Sequence, residues 1–215
     1  MKIITIDGYS GCGKSSLAKL LAHHYKLPWL DSGSIYRALA LISIESNLNN
    51  VDDLIFEFKK YSISFNSNGH ILLNNNNVNN KIRKPEIAEK ASQLAKIQIV
   101  RKNLLNLQRA QVSSTGLIAD GRDMGSIVFP YANFKFFLTA DIEKRADRRY
   151  KELQLIGKTV SIAELMQSIE LRDNRDSQRS HAPLVAAAEA IILDTSNMNL
   201  NQVFKYCINH IDSNN

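Results

Sequence analysis

Eight consecutive residues constrain this chain more than any others: Gly8-Tyr9-Ser10-Gly11-Cys12-Gly13-Lys14-Ser15. They satisfy the pattern G-x-x-x-x-G-K-[ST] in full. They also stand between a β-branched run, Ile3–Ile6, and a segment in which Leu17, Ala18, Leu20, Leu21 and Ala22 recur at helical spacing. A strand, a glycine-rich loop and a helix in that order aim backbone N–H groups at one point, and the helix N-terminus adds positive potential there. The predicted ligand is the phosphate chain of a nucleotide, held by Gly8 to Ser16. Lys14 is expected to reach the β- and γ-phosphates, with Ser15 or Ser16 near Mg²⁺.

The rest of the chain alternates strands with helices, which predicts an α/β fold with a parallel sheet. Pro28-Trp29-Leu30 reads as a short strand ending at Asp31-Ser32-Gly33, followed by a helix to about Glu45. Residues 51–60 read as a short helix and 61–82 as a small antiparallel lobe. There Ile63/Phe65 and Ile71/Leu73 alternate on either side of Asn68-Gly69, a hairpin signal. Asparagine supplies 11 of the 34 residues from 47 to 80, and the run Asn74–Asn77 is read as a biased loop. Pro85 to about Val112 reads as one long helical stretch. Leu117–Ala119 and Phe134–Thr139 are predicted strands, with helices over 143–155 and 161–175. A last strand, 190–193, precedes a closing helix over 199–211. With 215 residues and 44% apolar content, the chain can bury one core with an appended lobe. It lacks the ~18–20-residue apolar run that crosses a bilayer. The early Asp7 argues against a signal peptide, and the two cysteines, Cys12 and Cys207, lack metal-ligand spacing. A cytoplasmic protein is expected.

A P-loop leaves several enzyme classes open. The base-reading motif N-K-x-D of GTPases is absent, and a large ATPase needs more chain, so a compact kinase remains. Such a kinase must grip a second, anionic substrate. In Asp120-Gly121-Arg122-Asp123-Met124-Gly125 a buried strand ends in an acid, a glycine and an Arg-Asp pair, where ligands of open α/β sheets bind. Asp120 is a candidate for Mg²⁺ or its waters, and Arg122 for a phosphate; a turn with a surface salt bridge is the alternative. Arg172, Arg175 and Arg179 fall on one helical stripe roughly 60° wide, with Asp176 about 40° to its other side. Like charges stacked this way repel unless an anion sits among them, or else they form a solvated face balanced by Asp173 and Asp176. For Arg145, Arg148 and Arg149, phosphate contact and plain solvation are equally open. The net charge of +6 lies within 81–109, which holds eight Lys/Arg and two acids.

With the P-loop, Asp31-Ser32-Gly33-Ser34-Ile35-Tyr36-Arg37, Asp120–Gly125 and Arg172–Arg179 in this order, the chain resembles the bacterial cytidylate (CMP) kinases from about Ile4 to its final helix. The resemblance implies a nucleoside monophosphate kinase fold: a P-loop core (1–40, 112–156 and 183–215), a monophosphate-binding lobe (41–111) enlarged by the 61–82 insert, and a lid (157–182). It implies that Ser32 and Arg37 contact the ribose-phosphate region of CMP, and that Ser92, Arg101 and Asp123 read the cytosine. Arg122, Arg172 and Arg179 would neutralise phosphates and Asp176 would hold sugar hydroxyls. Lys14, Arg122 and Arg172 are the expected catalytic residues, with Ser15 and Asp120 at Mg²⁺, directly or through water. The implied reaction is ATP + CMP to ADP + CDP, with dCMP as a second acceptor, in a monomer without nucleic-acid or membrane partners. Other acceptors (UMP, AMP, shikimate, dephospho-coenzyme A) and a basic nucleic-acid-binding module are the competing readings.

Two features depart from that pattern. Ser92 and Arg101 are nine residues apart, about 900° around a helix and hence on opposite faces of a straight one. Both reach one base only if the helix breaks, and Lys96-Ile97-Gln98-Ile99 contains no proline to break it. Cys12 stands where relatives commonly carry a small residue such as Ala. A thiol at a helix N-terminus is a candidate for a lowered pKa and for redox sensing, against the simpler reading of a tolerated small residue.

Overall fold

The computed structural model describes residues 1–66, 69–155, 157 and 159–214. In chain order the elements are β1 (Lys2–Gly8), α1 (Lys14–Tyr25), β2 (Trp29–Asp31), α2 (Ser32–Glu45), α3 (Val51–Phe58), β3 (Ile63–Phe65), β4 (Ile71–Leu73), β5 (Asn76–Asn77), α4 (Pro85–Leu94), α5 (Gln98–Arg109), β6 (Gly116–Asp120), β7 (Phe134–Thr139), α6 (Ile142–Gln154), α7 (Ile162–Ser177), β8 (Ile191–Asp194) and α8 (Leu200–Ser213). Five strands form a parallel sheet in the order β2-β6-β1-β7-β8, and β3-β4-β5 form a separate antiparallel sheet.

Helices cover both faces of the parallel sheet, which is why β1 reads as a continuous apolar run. Ile4 and Ile6 pack with Leu17, Leu21, Val203 and Ile211 of α1 and α8. Ile3, pointing the other way, belongs to a cluster with Leu30, Leu39 and residues of α3, α4 and α5. β1 lies between β6 and β7, so the strand order reverses around it. In open α/β sheets a crevice forms at the carboxyl end of such a strand. The P-loop follows β1 directly. Gly8 has φ +140°, and a Cβ there would lie 2.1 Å from the Leu138 carbonyl oxygen, so only glycine lets the loop leave the sheet so close to β7.

Three segments differ from the sequence expectations. The stretch 85–112 is two helices, interrupted at Ala95–Ile97, where Ile97 is extended (φ −83°, ψ 117°) and caps α5. Arg101 donates across this break to the Ala95 carbonyl (3.2 Å). β3 pairs with β4 as expected, Ile63 opposite Leu73 and Phe65 opposite Ile71. Gly69 of the Asn68-Gly69 signal lies between these strands, where the Asn66 N–H donates to the His70 carbonyl (3.0 Å); Asn68 itself is outside the described residues. The asparagine run, read as a biased loop, instead holds a second, two-residue turn: Asn74 and Asn75, both at positive φ (48° and 64°), join β4 to β5. Asparagine tolerates the left-handed region better than other side-chain-bearing residues, so part of the asparagine run is a built turn. Finally, α7 ends at Ser177, which places Arg179 beyond the helix. Among the described residues no helix is long and apolar enough to cross a membrane.

Candidate active site

The carboxyl ends of β1, β2 and β6 bring most predicted residues to one place. β2 and β6 run in register, Asp31 beside Asp120. Asp120 Oδ2 accepts from Ser15 Oγ (2.8 Å) and Oδ1 from Trp29 Nε1 (2.6 Å). Burial and the nearby Asp31 push the Asp120 carboxyl up to about 7. Of the two P-loop hydroxyls proposed for a metal, Ser15 meets Asp120, whereas Ser16 is exposed. Lys14 is buried, and its Nζ donates to the Tyr9 carbonyl (2.6 Å).

Lys14 lies near the guanidinium groups of Arg122 and Arg172. Burial, then the Arg122 guanidinium, push Lys14 down to about 7. Burial followed by Arg122 and Arg37 lowers Arg172 to about 9, and burial lowers Arg37 to about 10 against the pull of Asp31. Among the described residues Lys14, Arg37 and Arg172 make no ion pair; Arg37 donates to the Ile82 carbonyl (3.2 Å). Asp176 serves both Arg122 (Nε, 2.8 Å) and Arg179 (2.7 Å). Burial raises Asp176, but Arg122, Arg179 and Arg172 together hold it below the usual carboxylate range. Half-buried positive charge that lacks ion-pair partners attracts anions by its electrostatics.

The predicted arginine stripe therefore divides. Arg172 and Arg179 join this cluster, while Arg175 forms a bidentate pair with Glu89 of α4 (2.5 and 2.8 Å). Its hydrogen bonds hold the Glu89 carboxyl below its ordinary 4.5, so the pair contributes above that pH and is lost as the solution is acidified through the folded value. Both partners are partly exposed, which limits the effect. Glu89→Gln should lower stability by less than about 1 kcal/mol at pH 7, with the difference from wild type shrinking below pH 4.5; thermal unfolding across pH measures it.

The residues expected to read the base are brought together in part. Arg101 and Asp123 form a buried ion pair, and the Arg101 guanidinium lies 5.7 Å from the Tyr36 ring centroid. Ser92 is buried on α4, and the break after Leu94 removes the phase conflict between it and Arg101. Among the described residues, five buried side-chain polar atoms lack a hydrogen-bond partner, and three are Ser92 Oγ, Arg172 Nε and Arg179 Nε. Orphaned polar atoms are costly in a folded core and recur where a ligand completes them. Ser32 is buried and accepts from Gln108 Nε2 (2.7 Å).

Sequence reasoning passed over several supports. Asp7 accepts from the Met124 and Gly125 backbone N–H groups (2.9 and 2.8 Å) and so fixes the segment that carries Arg122 and Asp123. Burial, opposed by those bonds, raises it to about 7. Its signal was an acid at the strand end immediately before the loop. Asp173, taken as a balancing charge, accepts from the Ser10 N–H (3.0 Å) and pairs with Arg145, whose guanidinium also donates to the Ser10 carbonyl (3.1 Å). Arg145 thus braces the P-loop, Arg148 caps carbonyls of Thr195 and Met198, and Arg149 pairs with Glu152 on the surface. Gln108 stands at the core phase of Val100 and Leu104, a polar residue where an apolar one belongs. The Cys12 thiol is buried, and burial pushes it up rather than down, which removes the ground for a reactive sensor.

A family model described as "Cytidylate kinase" matches residues 4–213. This chain belongs to the cytidylate kinase family. It is 43% identical over 217 residues to the cytidylate kinase of Shewanella amazonensis, covering 98% of this chain and 94% of that one. To the cytidylate kinase of Acinetobacter baylyi it is 40% identical over 220 residues, covering 99% and 97%. Among solved structures, an uncharacterized protein from Eubacterium ventriosum aligns over 99% of this chain and 98% of its own, with a TM-score of 0.56 and 15% identity. That likeness concerns the fold alone.

Proposed function

We propose that this protein transfers the γ-phosphoryl group of ATP to the 5′-phosphate of CMP, giving ADP and CDP. The observation that carries this reading is the half-buried cluster of Arg37, Arg122 and Arg172 around the buried Lys14, in which Lys14, Arg37 and Arg172 make no ion pair among the described residues, beside the Arg101–Asp123 pair. Relatives at about 40% identity along the full chain are cytidylate kinases. The acceptor is already an anionic oxygen, so no covalent enzyme intermediate is needed. The work of the protein is alignment, charge neutralisation and exclusion of water.

The P-loop amides from Gly8 to Ser16 hold the ATP phosphates, and Lys14 moves from the Tyr9 carbonyl to the β/γ-oxygens. Arg122 and Arg172 neutralise the transferring group from the acceptor side, and Arg179 supports them. Ser32 and Arg37 hold the ribose-phosphate of CMP, and Asp176 its sugar hydroxyls. Asp123, Arg101 and Ser92 meet a base edge that offers an exocyclic amine as donor and N3 and O2 as acceptors. The Ser15 hydroxyl and the Asp120 carboxylate are hard oxygen donors 2.8 Å apart. They suit Mg²⁺, which commonly takes one or two carboxylates and completes its shell with water and substrate phosphates. When bound it neutralises charge on the β- and γ-phosphates. Residues 157–182 act as a lid and 41–111 as the monophosphate lobe, and their closure keeps ATP from hydrolysis. The enzyme is expected to act as a cytoplasmic monomer.

An acceptor panel under one coupled assay of ADP release tests the reading. CMP should give the highest kcat/KM, dCMP should follow, and UMP, AMP and shikimate should be poorer. A higher value for any of the last three would overturn it.

A further inference from the structure

We propose that Trp29 is a positioning residue that ties the 61–82 lobe to the Ser15–Asp120 oxygen pair. The inference rests on the reading of that pair as the Mg²⁺ site.

Three observations meet at this side chain. Its indole N–H donates to Asp120 Oδ1 at 2.6 Å in a buried bond, while Asp120 Oδ2 faces the P-loop hydroxyl of Ser15 at 2.8 Å. A carboxylate engaged at both oxygens by donors from two elements has its plane fixed. On the ring side, Gly69 from the β3–β4 loop comes so close that a Cβ there would lie 2.2 Å from Trp29 Cε3 and 2.6 Å from Cζ3. With φ +71°, Gly69 presents bare backbone to the indole. The ammonium of Lys19, on α1, stands 5.1 Å from the ring centroid. The lobe and α1 share a cleft of about 840 Å³ that Trp29 lines together with Lys19, His23, Phe65 and His70.

A displacement of the lobe therefore presses on a rigid ring whose polar edge holds Asp120. Packed cores transmit such displacements because they have little free volume. The carboxylate is then set for the metal when the lobe is seated, and the lobe is the part of the chain proposed to move when CMP enters. Trp29 touches no substrate in this scheme. It acts through Asp120.

The test uses Trp29→Phe, which keeps a ring under Gly69 and removes the N–H. Loss of a hydrogen bond to a charged group should lower kcat by about tenfold, with KM for CMP within about twofold of wild type. Calorimetry gives a readout apart from turnover. ADP binding without metal should match wild type, and the tightening of ADP binding by Mg²⁺ should fall by roughly the same factor as kcat. A variant with wild-type kcat and the full Mg²⁺ effect would overturn the inference alone. If the wild-type protein itself shows no tightening by Mg²⁺, the reading of Ser15 and Asp120 fails and this inference fails with it. Should Trp29→Phe not fold, the wild-type chain supplies the second measurement, because Trp29 is its only tryptophan. Its emission should change when CMP is added alone and again when Mg²⁺ is added to the ADP complex. Emission unmoved by both additions would refute the coupling.

Discussion

Lys14→Ala should lower kcat for CMP phosphorylation by about 10²–10³-fold, the cost of removing one preorganised stabiliser of transition-state charge. The same substitution should leave the nucleotide-free protein at least as stable as wild type. In that state the ammonium is buried beside Arg122 and Arg172 and its pKa is pushed down to about 7, so its removal relieves repulsion and desolvation. The opposed signs are informative. A residue retained for packing alone would lose stability and activity together, whereas one retained for an absent anion loses activity only. Steady-state kinetics with thermal unfolding, both without and with ADP, measure the two effects. Turnover of CMP at the wild-type rate would refute the P-loop assignment.

Asp123→Ala should raise KM for CMP by about 10–100-fold, the range for a lost hydrogen bond to a charged group, while ADP affinity stays within a few-fold. Asp123 and Arg101 are both largely buried. Removing one member of a buried pair leaves the other uncompensated at a cost of about 3–5 kcal/mol, so stability must be followed beside kinetics. The decisive quantity is the split between the two substrates. General loosening of the structure affects ATP and CMP alike; loss of a base-reading acid affects CMP. Equal losses for both would argue against that role.

Much of the fold was legible because its signals are local. The Phe134–Thr139 strand has the predicted limits, and the helix expected after the glycine loop spans Lys14–Tyr25, since apolar patterning and the loop glycines are written in consecutive residues. The P-loop was legible for the same reason. The break at Ala95–Ile97 was expected only if Ser92 and Arg101 meet one base, and no proline or glycine announces it. Arg101 reaches back across it to the Ala95 carbonyl, a contact that becomes visible only in the folded chain. The β3–β4 hairpin was legible in its alternation, whereas the second turn, at Asn74-Asn75, was hidden in the asparagine run, because Asn can fill the left-handed region as Gly does.

The candidate site divides along the same line. The residue types were in the sequence: the loop, an Arg-Asp pair framed by glycines, and a run of arginines. Which arginine meets which acid was not. Arg175 turns to Glu89, 86 residues away, and Arg179 leaves the helix to share Asp176 with Arg122. Helical phase predicts a direction around one axis, but a partner on another element is found only when the chain closes. Asp7, Trp29 and Gln108 carry no motif, and their roles arise from contacts across 117, 91 and 76 residues. The sequence alone determined the phosphate loop, the α/β alternation and the supply of cations, because each is a short-range pattern. Only the tertiary structure decided which cations stay unpaired, because burial and the long-range placement of acids set that balance.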